Sequence, residues 1–221
     1  MEFKKTEKNT VKRGAQKASY NKKEIYALLD ASEICNIAFN IDSFPYVQPI
    51  NFGRTGNKIY VHGSLKNRMT NTLIAQGNAC LSIFHLDAMK LSKSAFHHSV
   101  DFRSVVVMGN VRELKTHDEK LVGLKSIINH FVPNRWEHCR TPNESELDAT
   151  RVLEIEIETA SAKIASSPVS DNKEDEKLDY WSGKIPIKTI AEFPIAKKDV
   201  NEGIEIPIHV LDFYEKRKNG F

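Results

Sequence analysis

The sequence predicts a mainly β domain of the α+β class, with six or more antiparallel strands closing into a barrel beside a few helices. Three observations carry this. Strand-like segments follow one another at hairpin spacing, "EICNIAFN" (33–40), "FPYVQPINFGR" (44–54) and "GNKIYVHG" (56–63). Two longer segments, 79–96 and 101–114, and the alternating "RVLEIEIETASAKIA" (151–165) add further strand material. Helical periodicity is confined to separate short windows. Closing such a sheet removes the exposed edges that an open one would present.

Each element has a local reason. Residues 1–19 form a basic arm: the first 23 residues hold eight Lys or Arg against Glu2 and Glu7, a local +6 in a chain of net charge +3. Without aromatic interleaving or a recognition motif, the arm reads as a solvated, partly mobile terminus and not as a nucleic-acid contact. The body spans 20–190. Asn21 is placed to cap a helix through "KKEIYALLDAS", whose Ile25, Leu28 and Leu29 share a face. The turn-prone "IDS" then joins the first two strands into a meander. A short helix over 65–77 has Leu65, Met69 and Leu73 on one stripe, Ser64 as its cap and Gly77 as its stop. A longer one over 116–132 starts at Thr116, repeats Leu121, Leu124, Ile127, Ile128 and Phe131 at helical spacing, and ends at Pro133. "NESELDAT" supplies a short helical piece, and 151–165 a closing strand pair. The polar loop 170–183 finishes in Trp181, either as a lid or as a surface loop whose tryptophan packs down. The tail, 191–221, carries no pattern that assigns it.

Composition narrows the class. With 40% apolar and 28% charged residues this is an ordinary globular chain, and no segment approaches the ~20 apolar residues of a membrane helix. The start lacks the apolar core of a secretory signal, which predicts a cytoplasmic protein. Cys35, Cys80 and Cys139 are odd in number and widely spaced, without a CxxC pair, and read as reduced, mostly buried thiols.

Two stretches carry chemistry. In "YVHGSLKNRM" (60–69), Lys66 and Arg68 fall near a helix start, where the macrodipole disfavours cations by up to ~1 kcal/mol unless an anion offsets them. Gly63 and Ser64 permit close approach and add a hydroxyl donor, so a bound phosphate and a plain charged helix are both open readings. Neither GxxxxGK[ST] nor GxGxxG occurs. In "SAFHHSVDFRS" (94–104), His97 and His98 stand side by side. On an extended strand they point to opposite faces, which argues against a shared metal and leaves no metal site assigned. One is expected to face a cleft and the other to pack, and the two stand as candidate catalytic residues.

Taken together, "PYVQPINFGRTGNKIYVHGSLKNRM" and "SKSAFHHSVDFRSVVVMGNV" resemble the flavin-binding split-barrel proteins related to pyridoxamine 5'-phosphate oxidase, nearest the nitroimidazole-resistance branch. The likeness runs from about Lys12 to Pro186. It implies a six-stranded antiparallel split β-barrel over 20–190, a homodimer, and one flavin mononucleotide (FMN) in each of two interface clefts. It also implies that Gln48, Pro49 and Ile50 lie along the flavin ring, that His62, Gly63, Ser64, Asn67 and Arg68 surround its phosphate, and that Arg103, Ser104 and Trp181 contact it. The C-terminal arginine and histidine with which the vitamin-converting oxidases grip their substrate are not found. The implied function is an FMN-dependent oxidoreductase acting on a small molecule, with nitro compounds as one substrate class and NADH or NADPH as donor. A haem-binding or haem-degrading barrel using His62, His97 or His98, and a flavin module without turnover, are the alternatives. No nucleic acid or membrane partner is implied.

Overall fold

The computed structural model describes residues 1–199, 201 and 203–220. Its elements are β1 (Ala18–Ser19), α1 (Lys22–Asp30), β2 (Ile34–Ile41), β3 (Phe44–Asn51), β4 (Gly53–Thr55), β5 (Lys58–Ser64), α2 (Arg68–Gln76), β6 (Asn78–Leu91), β7 (Ser99–Leu114), α3 (His117–Phe131), α4 (Glu144–Ala149), β8 (Thr150–Ala165), β9 (Gly183–Pro186) and α5 (Ile208–Arg217). Nine strands form one antiparallel sheet in the order β3-β2-β6-β7-β8-β5-β4, with β1 on β8 and β9 on β6. This exceeds the expected six. Six strands are seven residues or longer, and β1, β4 and β9 are short additions at the margins.

The two ends of the sheet path, β3 and β4, are separated in sequence only by the fully buried Phe52, so the sheet curls until its margins are neighbours. Alternate residues then point inward: Ile37 and Phe39, Leu81 and Ile83, Val105 and Val107, and Ala160 and Ala162 line one core. Helix α1 closes it with Ile25, Leu28 and Leu29, and α2 with Met69 and Leu73. The side chain of Asn21 accepts from the backbone N–H groups of Lys23 and Glu24, which fixes the start of α1 as expected. A second cluster, Tyr60, Leu114, Ile127 and Val152, seats α3, whose first turn carries a reciprocal capping box between Thr116 and Glu119. Gly53 makes the seat possible: a Cβ there would lie 2.4 Å from the backbone of Ser126 and Ile127.

Several expectations are corrected. The 44–54 strand breaks at Phe52, because the chain turns there to pass from one margin of the sheet to the other. Residues 150–165 form one sixteen-residue strand, not a pair, since β7 on one side and β5 and β1 on the other satisfy it along its length. The basic segment does not hang free: Phe3 is buried among core side chains, and the Asn9 amide donates to the Thr159 hydroxyl and to the Ala160 carbonyl at 3.2 Å. Of the cysteines only Cys35 is buried, with its thiol pKa pushed up to about 12 by burial; Cys80 is half-buried and Cys139 exposed, all free. The unassigned tail holds α5. Among the described residues no helix is long and apolar enough to cross a membrane.

Strands β6 and β7 outrun the barrel. Strand β8 ends at Ala165, opposite Phe102, and beyond that point β7 is paired only with β6, which gains β9 on its other side over Ala88–Leu91. The result is a three-stranded arm.

Candidate functional site

Two regions gather the chemistry-bearing residues. The first is the corner where β5 runs into α2. Helix α2 begins at Arg68 with Asn67 as its cap, whose side chain accepts from the Thr70 N–H at 3.1 Å; the expected start at 65 is three residues early because 64–67 form a turn closed by Asn67 N–H to the Ser64 carbonyl. The first turn of α2 has no acidic residue, and among the described residues no carboxylate pairs with Lys66 or Arg68. Arg68 instead lies over the ring of Tyr46, 4.6 Å from its centroid, and Tyr46 stacks on Phe39 at 5.5 Å. The corner is therefore an uncompensated positive edge at a helix N-terminus, suited to an anion. Gly63 approaches the Asn67 side chain so closely that a Cβ would stand 3.1 Å away. Behind it, His62 Nδ1 is buried with no hydrogen-bond partner among the described residues, and burial lowers the ring's pKa, so this imidazole stays neutral near pH 7.

On β3, Gln48 and Ile50 share the face of Tyr46, with Gln48 about 7 Å further along, while Pro49 points the other way. Both are partly buried on the inner side of β3, with Ile50, like Tyr46, packed against the core.

The second region is the arm. Arg103 grips Asp87 through two donors, Nη2 at 2.7 Å and Nε at 3.0 Å, beside a cavity of about 110 Å³ lined also by His85, Ile187 and Thr189. Ser104 faces the outside of the sheet, its hydroxyl 3.5 Å from the Lys163 carbonyl. His97 and His98 are not on a strand: Ala95–His97 is a single 3-10 turn capped by Ser94, with His98 following it. Alternation of faces therefore does not govern them. His98 is exposed and its Nδ1 lies 3.1 Å from the Ser94 carbonyl, whereas His97 is half-buried with its ring edge-on to Phe96. Among the described residues no three His, Cys, Asp or Glu side chains are arranged to hold a metal ion. Trp181 is 68% exposed and packs on Gly183, where a Cβ would strike its ring at 2.6 Å.

A family model, pyridoxamine 5'-phosphate oxidase, matches residues 21–164. The chain belongs to that family. Among solved structures, the flavocytochrome Anf3 from Azotobacter vinelandii is 28% identical with a TM-score of 0.86, the match covering 94% of this chain and 96% of that one. The FAD and haem binding protein from Mycobacterium smegmatis is 29% identical with a TM-score of 0.83, covering 90% and 97%. A 5-nitroimidazole antibiotic resistance protein from Bacteroides thetaiotaomicron shares the fold at 19% identity, with a TM-score of 0.57 over 66% of this chain. No curated protein matches the sequence.

Within this family fold, the chain brings His62, Gly63, Ser64, Asn67 and Arg68 together, with Gln48 and Ile50 on the same side of β3 as Tyr46. It does not bring Arg103, Ser104, His97, His98 or Trp181 to them. His62 pairs opposite Val152 and Arg103 opposite Ile164 on the same strand β8, which is twelve residues or about 40 Å of strand. Tyr46 is the residue that sequence reasoning missed. Its period-two relation to Gln48 was the available signal, but the cation above it comes from a helix twenty-two residues later.

Proposed function

We propose that the chain is a flavin-binding redox protein that works as a homodimer. The observation that supports it best is that two proteins named as a flavocytochrome and as FAD and haem binding match nine-tenths or more of the chain at 28–29% identity. The flavin we favour is FAD, on the strength of the second name, with FMN as the competing form. The corner fits such a cofactor: an unpaired Arg68, a helix start without acid, and a polar pair, Asn67 and Ser64, would hold its phosphate, while Gln48 and Ile50 would flank the ring. Once bound, the flavin supplies one- or two-electron transfer. The protein's part is to fix the phosphate end through charge-assisted bonds, to shield the ring with apolar β3 surface, and to hold His62 uncharged nearby.

What supports a dimer is the surface the sheet leaves uncovered. Val47 (67% exposed), Phe84 (55%) and Val106 (38%) lie on one outer face, with Ala38, Cys80, Ser82, Ser104 and Ser161 between them. A small-residue apolar face of this kind suits a second copy of the chain. A partner seated there would lie against the arm, so that a site using both the corner and Trp181, His97 or Arg103 would draw them from different subunits.

A second prosthetic group, haem, is favoured by both names above and by the unpartnered buried nitrogen of His62, which is a suitable iron donor. The test is direct. Purified protein should be coloured, release FAD on denaturation, sediment as a dimer and, if haem is bound, show a Soret band that His62→Ala abolishes. A colourless protein that binds neither added FAD nor added FMN overturns the flavin reading; a monomer that retains stoichiometric flavin overturns the dimeric site. Oxidation of NADH or NADPH by the loaded protein distinguishes an enzyme from a carrier.

A further inference from the structure

Among the described residues, helix α5 is joined to the rest of the chain by contacts of which one is chemically unusual. Helix α5 (Ile208–Arg217) follows residues 187–207, which hold no helix or strand among those described, and its N-cap Pro207 makes no side-chain capping bond. Arg217 pairs with Glu33 and its carbonyl accepts from the Ala191 N–H, and Phe193 packs edge-on to Tyr214. At the other end, His209 is 6% exposed and stacks on His138, with ring centroids 4.2 Å apart and planes 22° from parallel. Neither nitrogen of His209 has a hydrogen-bond partner among the described residues, and both are closed to solvent.

We propose that the His138–His209 stack is a proton-sensitive latch: with the His209 ring neutral it holds α5 on the barrel, and acidification releases α5 and the strap before it. A neutral imidazole tolerates this pocket at modest cost, whereas an imidazolium with no acceptor among the described residues does not. The groups facing His209 do not rescue it. The turn Arg135–His138 presents Arg135 and His138; α3 presents His130, whose Nε2 is committed to the Ser32 carbonyl at 2.7 Å; α1 presents Asp30, which is held by Arg54; and α5 itself presents Asp212, Lys216 and Arg217. Among the described residues that face His209, Asp212 is the carboxylate left, and it is exposed. The resulting balance lowers the pKa of His209, burial first, then His138 and Arg135, with Asp212 opposing. The sign follows: the docked state is disfavoured progressively as pH falls below the ordinary histidine value of ~6.5. A cavity of about 210 Å³ beside the stack gives the displaced ring a path to solvent.

Hydrogen exchange of the 208–217 amides in the full-length protein, corrected for intrinsic rate, tests this between pH 7.5 and 5.0. Protection should fall at least tenfold across that range in the wild type while core amides such as Leu81 and Val107 hold. In His209→Phe, which keeps a ring on His138 but cannot charge, protection should be flat with pH. Unchanged wild-type protection, or an equal loss in His209→Phe, overturns the latch. If His209→Phe leaves α5 undocked at every pH, His138→Phe decides: loss displaced to lower pH supports the latch, and a wild-type profile overturns it.

Discussion

The barrel and the arm belong to one sheet but are held together by opposite means. In the barrel, Ile37, Leu81, Ile83, Val105, Val107 and Ala162 are at most 1% exposed, and helices close both ends, so burial of apolar surface carries stability. In the arm the interior is ionic. Lys90, 6% exposed, and Lys184 converge on Asp101, which is 5% exposed, with Lys90 Nζ 3.1 Å from the carboxylate and 2.9 Å from the Ser167 hydroxyl. Lys93 reaches the carbonyls of Glu176 and Leu178, and Asp171 accepts from the Lys93 N–H at 2.8 Å. Apolar burial is insensitive to pH and tolerant of direction, which suits a scaffold. Fixed charges and hydrogen bonds are directional, which suits a projection that must hold Trp181 and the 94–98 turn in place while its apolar side chains face outward.

The largest effect expected from breaking this contrast is in the arm. Asp101→Asn leaves two cations around an uncharged amide and should cost about 3 kcal/mol, seen as a drop in Tm. The same group makes the arm sensitive to acid. Burial raises the Asp101 pKa, but bonds from Lys184, Lys90 and the Ser167 N–H outweigh it and hold the carboxyl below its ordinary range. The stability it adds is full above the unfolded value of ~3.9 and is lost as pH falls through the lowered folded one. Exchange at β9 amides should rise below about pH 4 before core amides respond; simultaneous exposure of both would show that arm and barrel unfold as a unit.

In the barrel, Gly53→Ala forces a Cβ against the backbone of α3, which has no side chain to move aside, and should cost about 2–3 kcal/mol in a denaturant titration. A neutral result would mean that α3 shifts freely on β4.

Arg68→Ala tests the corner. Flavin nucleotide affinity should weaken by about 1.5–3 kcal/mol, the scale of a charge-assisted bond, while riboflavin, lacking the phosphate, should bind nearly as before. Equal losses for both ligands would place the phosphate elsewhere.

The smallest effect belongs to the exposed tip. Phe96 is 89% exposed and Trp181 68%, so Phe96→Ala and Trp181→Ala should each change stability by less than about 0.5 kcal/mol. For the proposed dimer, weaker association by sedimentation with Tm unchanged would show that these side chains pack on a second copy.

The sequence alone determined the parts that short-range physics controls. Helix starts at Asn21 and Thr116 were legible because a cap acts within three residues, and the β2–β3 hairpin because alternation is local; the expected meander did not continue into β5, which pairs with β8 at the other margin of the sheet. The residues of the positive corner were also legible, since His62 to Arg68 are contiguous and a helix start with two unpaired cations is a local anomaly. Tertiary structure decided the rest. That Tyr46 lies under Arg68, that Asp87 takes Arg103, and that Lys90, Asp101 and Lys184 share one buried cluster are facts of strand register and curvature across long separations. The histidine pair shows the limit most plainly: the opposite facing expected of His97 and His98 held only if the segment between the two long strands was extended, and a 3-10 turn capped by Ser94 removed the alternation on which it rested. The stack of His138 on His209 had no sequence signal at all, because two residues seventy-one apart meet only once α4, β8 and β9, which lie between them in the chain, have taken their places.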